Sequence, residues 1–270
     1  MLFIILILCG LTAGIVAGLF GVGGGILFTP ILFILFSSVG LENPATWAIA
    51  TSLFCTFTAS ISSSIQQRTE KNFYWRQGVI VGLFGTIGVF AGKQIVTSSF
   101  YTEDVFVVIF SILLVFVAIL FFRRSQGDLT LLVTKTTISI PKAAGAGSVG
   151  GFVAALAGVG GGIVLVPIMN LAYKLSLKKA VSISSMAIVL ISFSGWIQFA
   201  LLAGEPEGIT PYTLGYVDFG SGFPLVIGAF AGGFAGVRIG HMVSQIVVQI
   251  GFGVLILAIA TLMILQLFNS

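Results

Sequence analysis

Long apolar runs separated by short polar breaks make up most of the chain, and their lengths predict its architecture. The runs fall at 2–20, 26–36, 47–65, 75–96 and 104–122. After a polar stretch at 123–142 they resume at 143–157, 163–173, 180–203, 216–237 and 245–268. Most approach the roughly 20 residues that a helix needs to cross a hydrocarbon core. The second run of each set does not, because about 11 helical residues rise only about 16 Å. In both sets this short run follows a glycine cluster, which predicts a broken or re-entrant element. The pattern therefore predicts an all-α integral membrane protein with a first transmembrane repeat at 1–122, a linker at 123–142 and a second repeat at 143–270. No basic stretch precedes the first run and no small-residue cleavage site follows it. It is expected to stay as a helix rather than act as a signal peptide.

The two sets repeat one another. Gly21-Val22-Gly23-Gly24-Gly25-Ile26 returns as Gly158-Val159-Gly160-Gly161-Gly162-Ile163, and Pro30 and Pro167 stand at the same distance beyond. Ala48-Ile49-Ala50-Thr51-Ser52-Leu53 parallels Val181-Ser182-Ile183-Ser184-Ser185-Met186. Gly88-x-x-Ala91-Gly92 parallels Gly232-x-x-Ala235-Gly236. Three matches in one order indicate an internal duplication.

Loop charges orient the copies. Basic loops carry Arg68, Lys71 and Arg76; Arg123, Arg124, Lys135 and Lys142; Lys174, Lys178 and Lys179; and Arg238 with His241. The loops with Glu42, with Glu103 and Asp104, and with Glu205 and Glu207 hold no Lys or Arg. Cytoplasmic loops are the basic ones, so the Lys71 loop is expected inside and its repeat-mate, the Glu205 loop, outside. An odd number of segments per half inverts the second copy, as in many secondary transporters. The linker is then cytoplasmic and both termini external.

Composition agrees with this picture and removes others. Charged residues are 7% and hydrophobic residues 57% of the chain, against about a quarter charged in a soluble domain. The 35 glycines suit helices that approach closely. A net charge of +4 reflects the basic loops; no basic patch with interleaved aromatics points to nucleic acid. Membrane lipid and a small anion are the expected partners.

The glycine clusters are the leading functional candidates. Glycine adopts positive φ and lets a ligand approach the backbone, and the first turn of a helix presents free N–H groups to an anion. Gly21, Gly23, Gly24 and Gly25, with Gly158, Gly160, Gly161 and Gly162, are expected to line a substrate site. Tight helix crossing is the plainer role they could have. Thr51, Ser52, Ser184 and Ser185 are expected to donate to the same anion, the alternative being bonds back to their own helix. Lys93 and Arg238 read as snorkelling anchors, and Cys9 and Cys55 as apolar packing residues. Neither glycine cluster completes a dinucleotide or phosphate-loop motif, and no hydrolase or metal-ligand set is present. No enzyme activity, cofactor or metal is expected.

The duplicated glycine–proline elbow, with Ala50-Thr51-Ser52 and Ile183-Ser184-Ser185 beyond it, resembles the sulfite exporter TauE/SafE family over essentially the whole chain. The resemblance implies a multi-pass transporter of sulfur-containing anions in the bacterial cytoplasmic membrane. Alternating access between the repeats is the expected mechanism, and a passive anion channel is the alternative.

Overall fold

A computed structural model describes residues 2–20, 25–69, 74–125, 138–202, 208–240 and 245–267. The helices are α1 Leu2–Phe20, α2 Gly25–Ser38, α3 Pro44–Thr69, α4 Trp75–Val96, α5 Glu103–Ser125, α6 Ile140–Ala157, α7 Gly162–Pro167, α8 Leu177–Ala200, α9 Phe219–Gly240 and α10 Gln245–Leu267. A π-helical turn, Ile168–Ala172, continues α7. Two short antiparallel strands, β1 Thr213–Leu214 and β2 Val217–Asp218, lie between α8 and α9. Among the described residues, five helices are long and apolar enough to cross a membrane: α4, α5, α6, α8 and α9. Most of the expected linker, at 126–137, lies outside the described residues.

The expected short run at 163–173 is not one helix. Proline has no N–H and its ring crowds the carbonyl one turn back. Pro167 therefore ends regular α-helix after six residues, and the chain widens into the π-helical turn. In the first half, α2 holds Pro30 internally and runs for 14 residues, about 21 Å at 1.5 Å each.

Two helices form the centre. α3 is buried from Ala45 to Thr56 without interruption, and α8 packs along it. They run antiparallel, since Gly195 faces Leu53 near one end and Ser192 shares the space beside Gly160 with Thr56 further in. α1 packs on α9 and α4 on α6, while α5 and α10 pair at the periphery. Exposed residues such as Ile112 and Ile119 of α5 and Leu262 of α10 turn apolar faces outwards, which suits lipid rather than water.

Glycine sets two of these contacts. A Cβ at Gly88 would run into the Ser148 carbonyl, and one at Gly92 would lie 2.8 Å from that of Phe152. A Cβ at Gly232 would run into the Leu11 carbonyl, and one at Gly236 into that of Ile15. Backbone therefore touches backbone at α4–α6 and at α1–α9. In each pair the residue numbers rise together, so both pairs are parallel.

Candidate functional site

The second glycine cluster is where the regular backbone breaks. Gly158 caps α6 with φ +72° and donates its N–H to Ala154 O at 2.8 Å. Gly160 and Gly161 follow with φ +66° and +77°, conformations that cost an L side chain about 1–2 kcal/mol. Helix resumes at Gly162, where Gly161 O accepts from Val164 and Leu165 N–H. The turn sits midway along both α3 and α8. In the first cluster, Gly25 opens α2 beside this turn: a Cβ there would lie 2.7 Å from Thr56 Oγ1 and 3.1 Å from Val159 O. Gly21, Gly23 and Gly24 lie outside the described residues.

The hydroxyls nominated from sequence occupy four different situations. Ser52 is fully buried and joins three elements in a relay: Thr29 Oγ1 of α2 donates to Ser52 Oγ at 2.8 Å, and Ser52 donates to Gly158 O at 2.9 Å. That bond satisfies a carbonyl that the end of α6 leaves free. Thr51 Oγ1 accepts from the backbone N–H of Asp218 at 3.0 Å. Ser185 donates back to Val181 O of its own helix at 2.7 Å. Ser184 is buried and its Oγ has no partner; it lies 3.7 Å from where a Gly162 Cβ would stand.

Sequence reasoning did not nominate Thr56 and Ser192. Both are buried, both hydroxyls lack a partner, and both meet Gly160: a Cβ there would lie 2.5 Å from Thr56 Cγ2 and 3.0 Å from Ser192 Oγ. Their signal is a four-residue period. Ser52, Thr56, Ser60 and Ser64 mark one face of α3, and Ser184, Ile188, Ser192 and Trp196 one face of α8. Residues four apart share a helix face.

Asp218 is the other residue that pattern reading passed over. It is fully buried at the start of α9, accepts from Ser221 N–H and Oγ, and accepts from Thr210 Oγ1. It acts as a helix N-cap and, through Thr51, fixes the α9 end to α3. Beside it the α3–α8 seam is filled by rings, with Phe54 at 5.9 Å from Trp196 and 4.9 Å from Phe219. Cys55 Sγ lies 3.6 Å from Gly222 O in the same packing. Lys93 Nζ rests over the Phe90 ring at 5.4 Å, in keeping with an anchor; the Arg238 side chain lies outside the described residues.

Apolar flanks around two central helices, with five of the described helices long and apolar enough to cross a membrane, suit a multi-pass membrane protein. The chain belongs to the sulfite exporter TauE/SafE family, whose model matches residues 6–263. It is 31% identical to a probable membrane transporter protein of Methanocaldococcus jannaschii over 89% of this chain and 87% of that one. It is 30% identical to the probable membrane transporter protein YunE of Bacillus subtilis, over 95% and 96% of the two chains. A probable membrane transporter protein of Haemophilus influenzae is 28% identical over 88% and 89%. No solved structure matches the chain.

Proposed function

We propose that the chain carries small sulfur-containing anions, sulfite or a related oxyanion or organosulfonate, by alternating access around a midplane site formed by its two glycine elbows. The observation that carries this reading is the glycine cluster 158–162, non-helical from 158 to 161, enclosed midway along α3 and α8. Irregular backbone at that depth is tolerated only inside protein or against a polar cavity. The side chains its glycines meet include Thr29, Thr56, Ser184, Ile188 and Ser192, hydroxyls and one alkyl group. Neutral donors suit a weakly basic anion; they offer a cation no counter-charge and a multiply charged anion no full compensation.

Helix directions support two inverted repeats. α1 is parallel to α9 and α4 to α6, whereas α3 and α8 are antiparallel. If short connections make α3–α4 and α8–α9 hairpins, α1, α3 and α4 of the first half then run opposite to their sequence counterparts α6, α8 and α9. The glycine contacts carry the same relation: Ser148 and Leu11, struck by Gly88 and Gly232, each stand ten residues before their glycine cluster. Together with the basic loops, this relation supports a reading in which both termini lie outside a cytoplasmic membrane. Reporter fusions at Glu42 and Glu205 should read outside, and at Lys71 and Arg124 inside.

Flux decides the substrate. Proteoliposomes should take up labelled sulfite saturably, with stimulation by counter-flow, and thiosulfate or small sulfonates should compete better than phosphate. Acidifying the loading side should raise the flux, because sulfite is a weak acid and its less charged form needs less compensation. Flux of an amino acid or metal cation with sulfite inert would overturn the assignment, and conductance without counter-flow would make the protein a passive channel.

A further inference from the structure

Hydroxyls in apolar helices ordinarily satisfy themselves by donating to a carbonyl three or four residues back. On α3 and α8 several do so: Thr58 donates to Cys55 O at 2.7 Å, Ser60 to Phe57 O at 2.8 Å and Ser185 to Val181 O at 2.7 Å. Thr56, Ser184 and Ser192 have the same option and do not take it. Their oxygens are buried without a partner, although the residues are only 5%, 1% and 0% exposed. An unsatisfied buried hydroxyl is costly; Thr56 and Ser192 meet at Gly160, and Ser184, about 12 Å along α8 from Ser192, flanks the same glycine cluster at Gly162. The N-terminal turn of α2, the positive end of a 14-residue helix, opens beside Thr56 at Gly25. The rings of Phe54, Trp196 and Phe219 close one flank and lower the local dielectric, which strengthens a hydrogen bond to an anion.

We propose that Thr56 and Ser192 are the side-chain donors of the anion site, gathered around Gly160 and the start of α2, and that Ser184, about two turns along α8 beside Gly162, is a further donor on the anion's path. Ser52 is a positioning residue that holds the turn through Gly158 O. This assignment rests on the carrier reading above and makes the site one-sided. In the sequence alignment of the halves, Thr56 corresponds to Val189 and Ser192 to Ala59, so only one copy supplies each of these hydroxyls. The site is closed as it stands. A single Cβ at Gly160 would already lie 2.5 Å from Thr56 Cγ2, so an anion is admitted only when α3 and α8 move apart.

The test measures concentration-dependent uptake of labelled sulfite by proteoliposomes holding wild type, Thr56→Val, Thr56→Ser, Ser192→Ala or Ser185→Ala, with melting of each purified protein in detergent. Loss of a hydrogen bond to a charged group corresponds to roughly a tenfold to hundredfold change. Thr56→Val and Ser192→Ala should therefore raise the half-saturating concentration at least about tenfold, while melting like wild type. Thr56→Ser should restore it, because the hydroxyl returns, and Ser185→Ala should match wild type. Wild-type half-saturation in both Thr56→Val and Ser192→Ala would overturn the assignment and leave the carrier reading intact, as would failure of Thr56→Ser to improve on Thr56→Val. A wild-type protein inert to sulfite, thiosulfate and sulfonates would instead overturn the carrier reading, and this assignment with it.

Discussion

On α3, Thr51 and Ser52 are committed to other elements: one accepts from Asp218 at the start of α9, the other donates to Gly158 across the helix interface. On α8 the matching residues behave differently, Ser184 having no partner and Ser185 bonding only to its own helix. The two helices occupy the same place in their halves of the sequence, yet α3 uses its repeated hydroxyls to brace the fold and α8 does not. A motif repeated in sequence therefore need not serve the same purpose in both copies. The helix–helix contacts are the opposite case, because Gly88 with Ser148 and Gly232 with Leu11 repeat position for position.

Those glycine contacts give the largest expected effect. Gly88→Leu and Gly232→Leu each push a side chain into a neighbouring carbonyl with no room to rotate away. Each should cost about 3 kcal/mol, the upper end for overpacking, and the two should lower the melting temperature of the purified protein equally. A wild-type melt in one variant alone would break the equivalence of the two interfaces.

Gly160→Ala should come next. It forces a Cβ into positive φ, at about 1–2 kcal/mol, and into the space shared with Thr56 and Ser192. Sulfite uptake should be lost, and the protein should melt early though still fold. Gly233→Ala, where a Cβ meets nothing within 4 Å, is the control and should transport normally. Uptake preserved in Gly160→Ala would remove the turn from the transport path.

Ser52→Ala should have a smaller effect, of a different kind. It strands the Gly158 carbonyl in a dry interface and leaves the Thr29 hydroxyl only its longer bond to Gly25 O at 3.3 Å, a loss of about 1–3 kcal/mol that is read in melting. If the half-saturating concentration changes instead and the melt does not, Ser52 contacts the anion and the comparison between α3 and α8 needs revision.

Much of the fold was legible because membrane helices announce themselves by run length and glycine spacing. The apolar runs at 2–20 and 75–96 are α1 and α4 to the residue. Elements whose ends depend on hydrogen bonding were less readable. α9 starts at Phe219 rather than 216 because Val217 and Asp218 pair as strand and the Asp218 carboxylate caps the helix. The run at 163–173 hid the change of helix type that Pro167 imposes. At the candidate site, a search for what repeats led to Thr51, Ser52, Ser184 and Ser185, and passed over Thr56 and Ser192 because neither has a hydroxyl in its counterpart. Hydroxyl spacing along a single helix carried that signal; whether each hydroxyl has a partner is a property of packing that no sequence pattern displays.

Ser185→Ala is the smallest effect expected, and it bears directly on the comparison. Ser185 is 5% exposed, so a loss of polar contact there is not cushioned by water. Its bond to Val181 O, however, is to a carbonyl already engaged in the α-helix. Removing it therefore leaves no stranded group behind, unlike the Gly158 carbonyl beside Ser52. Alanine also favours helix over serine by a few tenths of a kcal/mol, which offsets part of any loss. The melt and the sulfite half-saturation should both stay within about 0.5 kcal/mol of wild type, the range of substitutions that touch no special feature. Ser184→Ala, one residue away, should melt as wild type or higher, since it removes an unsatisfied oxygen, but should weaken sulfite. A Ser185→Ala protein that melts normally and loses affinity as far as Ser184→Ala does would show that α8 turns more than one hydroxyl face to the anion, and the contrast with α3 would then lie in number of donors rather than in role.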